Sequence, residues 1–278
     1  MSCVKYSMFF NKRNFDFESK HPDSELAGAC FRKKRGMDNP ERFRACFSDN
    51  MNRLLSFVYL PQIQFRIDLD GRLDETRLLD ALELAVRTTP VLSCRYVEHP
   101  IRPYWERNPK ADCRSKDVFC ICQVADACFQ DVLENFLSCP IRESTAPQIR
   151  VMVLRTASTD SLILKLNHQA ADAFALQKFW VRNVMGRLMR IRHVPPVMTH
   201  MGGIDERRLN FGNPGVAAVE LIAPPCYPPF FGVGLSGFRN CLSLSAGGSA
   251  ASDFVDRTQA LFDRVARELL LEIPKMRW

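Results

Sequence analysis

A histidine and a carboxylate four residues apart, His168 and Asp172 in Asn167-His168-Gln169-Ala170-Ala171-Asp172, are the residues whose types and spacing point to chemistry. The segment stands where an alternating apolar run ends and a helical pattern begins. A histidine on such a platform can serve as a general base, because imidazole ordinarily titrates near about 6.5. A carboxylate at a helix start is favoured by the positive end of the dipole, so Asp172 can cap the helix or pair with a cation that holds the loop. On these residues alone two readings stay open: a proton-transfer site, or a structural histidine followed by a capping aspartate. His21, His99, His193 and His200 fall in loop-like segments and read as solvent-facing. Gly232-Val233-Gly234 and Gly247-Gly248 lead into no Gly-Lys-Ser/Thr helix start and are not phosphate loops. Ser243 and Ser245 approach the histidine only if their strand runs beside it.

The elements that would position the pair follow from periodicity. Ile63, Phe65, Ile67 and Leu69 alternate with Gln64, Arg66 and Asp68, which predicts a strand with one wet face, closed by Asp70-Gly71. Leu78, Leu82 and Val86 predict a helix over about 74–88, with Asp74 and Glu75 at its start and Pro90 at its end. Strands are expected at 91–96, 104–106 and 118–124, and a short helix at 128–137. Ile149, Val151 and Val153, then Leu162, Leu164 and Leu166, predict an antiparallel hairpin around Ser158-Thr159-Asp160. A helix over about 174–190, strands near 219–222, 230–235 and 241–244, and a last helix over about 254–271 complete the pattern. Thr258, Leu261, Val265 and Leu269 are expected to face inward on that last helix. This order argues for an α+β fold with helices on a mixed, largely antiparallel sheet. Residues 1–55 read as an irregular arm with a short helix near 42–55. Residues 191–209, with Pro195-Pro196 and Gly202-Gly203, read as a linker.

Composition narrows the function classes. With 278 residues, 46% hydrophobic and 25% charged, the chain has ordinary globular make-up and no apolar run near the roughly 20 residues of a membrane span. No apolar signal core follows Met8-Phe9-Phe10, so cytoplasmic placement without integral membrane association is expected. The eleven cysteines include no Cys-x-x-Cys pair, so no metal is expected, and Cys120 and Cys122 would share one strand face as structural thiols. The net charge of +7 is spread thinly, since residues 1–50 hold ten basic groups against seven acidic ones. No aromatic-plus-basic motif accompanies it, so nucleic acid is not an expected partner. A field of that sign could instead attract an anionic substrate carrier.

The segment 167–172 resembles the His-His-x-x-x-Asp-Gly signature of the chloramphenicol-acetyltransferase-like superfamily, which includes condensation domains and alcohol acyltransferases. His168 matches the second histidine and Asp172 the aspartate, while Asn167 and Ala173 stand at the first histidine and the glycine. The order of 64–69, Asp70-Gly71, 73–88 and Pro90-Val91-Leu92-Ser93-Cys94-Arg95-Tyr96 is similar to the opening of that family. Asn213-Pro214-Gly215, the run from Phe231 to Leu244 and the last helix resemble its C-terminal part. The resemblance implies an acyltransferase-like lobe over 56–190 and a shortened second lobe over 210–278. It implies His168 as the catalytic base, with Asp172, Arg95 and Asn167 supporting the motif and Arg95 the partner of Asp172. It also implies acyl transfer from a coenzyme A or phosphopantetheinyl carrier thioester to a hydroxyl or amine, with no tightly bound cofactor. A carrier protein is then a possible partner, and association into oligomers could complete the shortened lobe. The alternative is a relative without turnover that keeps the fold as a binding or scaffolding module.

Overall fold

The computed structural model describes residues 3–11, 41–108, 111–170, 197–227, 230–249 and 252–268. Through the first half these form β1 (Cys3–Asn11), β2 (Arg42–Arg44), α1 (Phe47–Leu54), β3 (Gln62–Leu69), α2 (Glu75–Thr88), β4 (Cys94–Val97), β5 (Tyr104–Arg107), β6 (Phe119–Gln123) and α3 (Phe129–Ser138). The second half adds β7 (Ile149–Arg155), β8 (Asp160–Asn167), β9 (Val197–Ile204), β10 (Val216–Ile222), β11 (Gly232–Phe238), β12 (Cys241–Ser249) and α4 (Ser252–Glu268). The architecture is α+β.

A five-stranded sheet of order β10-β3-β8-β7-β6 carries the segment of interest. It is antiparallel except for the β6–β7 pair, and β7 and β8 form the expected hairpin, with Val151 opposite Leu164. One face of the sheet buries Ile67, Leu69, Val151, Val153 and Leu162 against Leu82 and Val86 of α2. Each such burial contributes about 1.5–3 kcal/mol. Helix α2 begins where expected, because the Asp74 carboxylate accepts from the Arg77 backbone N–H at 3.1 Å.

The other face of the sheet is not wet. Helix α3 packs across it through Leu133 and Leu137 against Met152, Leu154 and Ile163, with Cys120 and Cys122 half-buried beside them. Gln64, read as solvent-facing, is therefore buried and donates to the Leu137 carbonyl at 2.9 Å, and Arg66 stacks 4.8 Å from the Phe129 ring. Lys165, opposite Gln64 across the β3–β8 pair, sends its ammonium to the Phe136 and Cys139 carbonyls at the end of α3.

Two further sheets flank this one. A small sheet of order β2-β5-β4 buries Trp105 and Tyr96 edge to face, with centroids 5.3 Å apart. The strand expected at 91–96 starts only at Cys94, because Pro90–Ser93 form a 3-10 turn suited to the fixed φ of proline. The third sheet has the order β1-β12-β11-β9, with β1 parallel to β12 and β9 parallel to β11. Thus Cys3–Asn11 is a strand rather than part of an irregular arm, and Val197–Ile204, read as linker, is an edge strand. Helix α4 covers β11 and β12 through Phe262 and Thr258, whereas Leu261, expected inside, is 41% exposed. Thr258 and Val265 face inward as expected, and Phe262 takes the place expected of Leu261. Leu269 and the helix expected over 174–190 lie outside the described residues.

Serine hydroxyls join the third sheet to β10. Ser236 Oγ accepts from the Leu221 N–H at 2.9 Å. Ser245 Oγ accepts from the Ala223 N–H at 2.8 Å and donates to the Leu221 carbonyl at 2.7 Å. Ser245→Ala should lower unfolding free energy by about 1–3 kcal/mol, since it strands buried backbone groups. Urea denaturation would check this, and an unchanged midpoint would mean that water replaces the hydroxyl.

Candidate functional site

His168 follows the last residue of β8, and its backbone is held on both sides. Its N–H donates to the Pro61 carbonyl at 2.8 Å, and its carbonyl accepts from Asn52 Nδ2 at 3.1 Å. The half-buried ring turns Nδ1 toward the same amide nitrogen, 3.4 Å away. Behind Asn52, its Oδ1 accepts from the Tyr59 hydroxyl at 3.2 Å. Burial first, and the neighbouring Cys226 second, push the Tyr59 hydroxyl up to about 12, so it stays a donor.

Asn167 shapes the turn. Its buried side chain donates to Gln148 Oε1 at 2.8 Å and accepts from the Gln169 N–H at 3.0 Å, while its carbonyl accepts from the Ala170 N–H. That is an Asx turn, which uses an amide's donor and acceptor together. Gln148 is anchored in turn, donating to the Cys94 carbonyl at 3.0 Å. Asp172 lies outside the described residues. Arg95, named above as its partner, is engaged across the β4–β5 pair by Glu106, with Nε and Nη2 reaching Oε2 at 3.1 and 2.6 Å. The Glu106 carboxyl is held below its ordinary value, first by the Arg95 hydrogen bond and also by Arg42. Cross-strand pairing thus supplies Arg95 with a local carboxylate that linear spacing does not show.

The connection after β10 runs past this loop. Leu60 N–H donates to the Pro225 carbonyl, Tyr227 N–H to the Val58 carbonyl, and Tyr59 bridges Cys226. On the other side of the turn a cavity of about 290 Å³ is lined by Phe43, Pro90, Val91, Trp105, Gln169 and Ala170. Asp49 closes part of it and accepts from Trp105 Nε1 at 2.9 Å. Ser245 does not join the histidine, because its hydroxyl is engaged by the β10 backbone. His99 and His200 are exposed, whereas His21 and His193 lie outside the described residues. Asn52 and Tyr59 went unsuggested by the sequence, since Asn52 reaches His168 from a helix 116 residues away and Tyr59 touches it only through Asn52.

No protein-family model and no curated protein matches this sequence. Among solved structures, the chain is similar to the first condensation domain of the calcium-dependent antibiotic synthetase in complex with a substrate analogue. That match has a TM-score of 0.40 and 16% identity, over 47% of this chain and 35% of that one. The starter condensation domain of rhizomide synthetase matches with a TM-score of 0.38 and 9% identity, over 46% of this chain and 34% of that one. A variant of that starter domain in complex with C8-CoA gives 0.38 and 12%, over 46% and 31%. The matched part therefore spans about a third of each of these solved chains. Among the described residues no helix is long and apolar enough to cross a membrane.

Proposed function

We propose that this chain transfers an acyl group from a coenzyme A or carrier-protein thioester to a hydroxyl or amine, at a site centred on His168. The observation that carries the reading is a half-buried imidazole at a strand end that faces Asn52, its backbone tied to the Pro61 carbonyl, with the next two residues, Gln169 and Ala170, lining a mostly apolar cavity. The acceptor gives its proton to the ring, and its oxygen or nitrogen bonds to the thioester carbonyl carbon. The carbon–sulfur bond then breaks, and the thiolate takes the proton back. No acyl-enzyme is needed. In this reading residues 56–190 form the histidine-bearing lobe and 210–278 a partial second lobe, which a carrier protein or a second chain could complete. The cavity of about 290 Å³ suits a short acyl chain, near the lower end of the roughly 300–1,000 Å³ usual for ligand sites.

The test is product formation from acetyl-, hexanoyl- and octanoyl-coenzyme A with a panel of amines and alcohols, followed by mass spectrometry. His168→Ala should reduce ester or amide formation by about 100-fold or more. Equal rates in the two proteins would remove the acyl-transfer reading. A second reading, binding of a thioester or other carbonyl ligand without turnover, is favoured by one observation: the Asn52 amide faces Nδ1, where an orienting base partner would be a carboxylate. Thioester binding that His168→Ala weakens, with no product from either protein, would select it.

A further inference from the structure

We infer that Asn52 is the positioning residue of His168 and that it holds the resting ring in the tautomer with its proton on Nε2. The amide orientation follows from the His168 carbonyl, with the Tyr59 hydroxyl compatible with it. The His168 carbonyl can only accept, and it lies 3.1 Å from Asn52 Nδ2; the Tyr59 hydroxyl donates to Oδ1 at 3.2 Å. Turning the amide over would set Oδ1 against the His168 carbonyl and give up that bond, whereas the Tyr59 hydroxyl could pair with either end of the amide. The nitrogen facing the ring at 3.4 Å is therefore an amide nitrogen, which has only hydrogens to offer. Nδ1 must meet it with a lone pair, so the proton of the neutral ring sits on the far nitrogen. A single amide thus fixes the backbone and the ring of the same histidine.

The chemical consequence concerns the far side of the ring. At rest His168 presents an N–H there, which suits a thioester carbonyl or another oxygen acceptor. To take a proton from an attacking hydroxyl or amine, the ring must first move its own proton to Nδ1 and break the contact with Asn52. A carboxylate at position 52 would do the reverse, accepting from Nδ1–H and turning a lone pair outward, as the orienting carboxylate of a hydrolase triad does. Tyr59 supports the arrangement from behind by donating to Oδ1.

The spectroscopic test stands apart from catalysis; only its kinetic arm rests on the acyl-transfer reading. Two-bond proton–nitrogen spectra of protein carrying ring-labelled histidine would be recorded at pH 8.5, with the His168 signals assigned by their loss in His168→Gln. The expected result is a protonated Nε2 and an unprotonated, hydrogen-bonded Nδ1. In Asn52→Ala the Nδ1 resonance should move to the position of a free imine nitrogen. In Asn52→Asp the proton should move to Nδ1. A wild-type ring protonated at Nδ1, or His168 signals identical in wild type and Asn52→Ala, would overturn the assignment. In the kinetic arm, Asn52→Asp should raise acyl transfer at least about tenfold at unchanged KM. Should no variant turn over, the acyl-transfer reading fails while the ring spectra still decide the role of Asn52.

Discussion

Gly247→Ala should cost this protein on the order of 3 kcal/mol or more and disrupt the packing of β12 against the end of β10. A Cβ at Gly247 would collide with the Pro224 carbonyl and stand 2.9 Å from the Ala223 carbonyl. Both obstacles are backbone, so no side-chain rotation relieves them. The same segment is tied down by Ser245, whose hydroxyl bonds Ala223 and Leu221. Gly203 is the internal control: a Cβ there meets nothing within 4 Å, so Gly203→Ala should fall within about 0.5 kcal/mol of wild type. Thermal and urea unfolding of the two variants decide the matter. Matching midpoints would show that β12 and residues 223–224 do not approach so closely.

Lys165→Met should flatten the pH dependence of stability between about pH 7 and pH 10. The side chain is 2% exposed, and burial pushes its ammonium down to about 7, against about 10.4 in an unfolded chain. Between those values the unfolded chain binds the extra proton, so stability rises with pH across the window and is lower below it. The Phe136 and Cys139 carbonyls and the negative end of α3 favour the charged form and oppose this shift. Thiols such as Cys94 and Cys226, pushed up by burial, act the other way above about pH 8.5. Because they do so in both proteins, the difference between wild type and Lys165→Met is the quantity to measure. A constant difference from pH 6.5 to 10 would show that Lys165 keeps its proton throughout.

What periodicity revealed here is what lies within one element. The stripe of Leu78, Leu82 and Val86 and the alternation of Leu162, Leu164 and Leu166 place α2, β8 and, at the end of β8, His168. What it missed depends on a second element arriving from elsewhere. Gln64 and Arg66 look wet until α3 covers them, since nothing local distinguishes a solvated face from one closed by a helix end with free carbonyls. Residues 197–204 look like a linker because of Gly202-Gly203. An edge strand tolerates such residues, however, and the β9–β11 register shifts near Gly237, with Gly202 at φ 74°. At the site, the placing of His168 at a strand end was legible from the alternation before it, whereas Asn167 was named only through the family resemblance and its turn was not foreseen. Asn52, Tyr59 and Gln148 were not legible, because an amide 116 residues from its partner leaves no spacing to count.

The pairing of Cys3 with Cys241, and of each residue of β1 with one of β12, bears on how the chain comes together. On a ribosome β1 emerges long before β12, the strand it must lie beside. Until then β1 has no edge in that sheet to join, and the parallel alignment must wait until residues 241–249 have been made. Contacts of such sequence separation slow folding, and an early strand left waiting is open to pairing with other chains. Synthesis rate and chaperone supply should therefore govern the yield of native protein more than its final stability does.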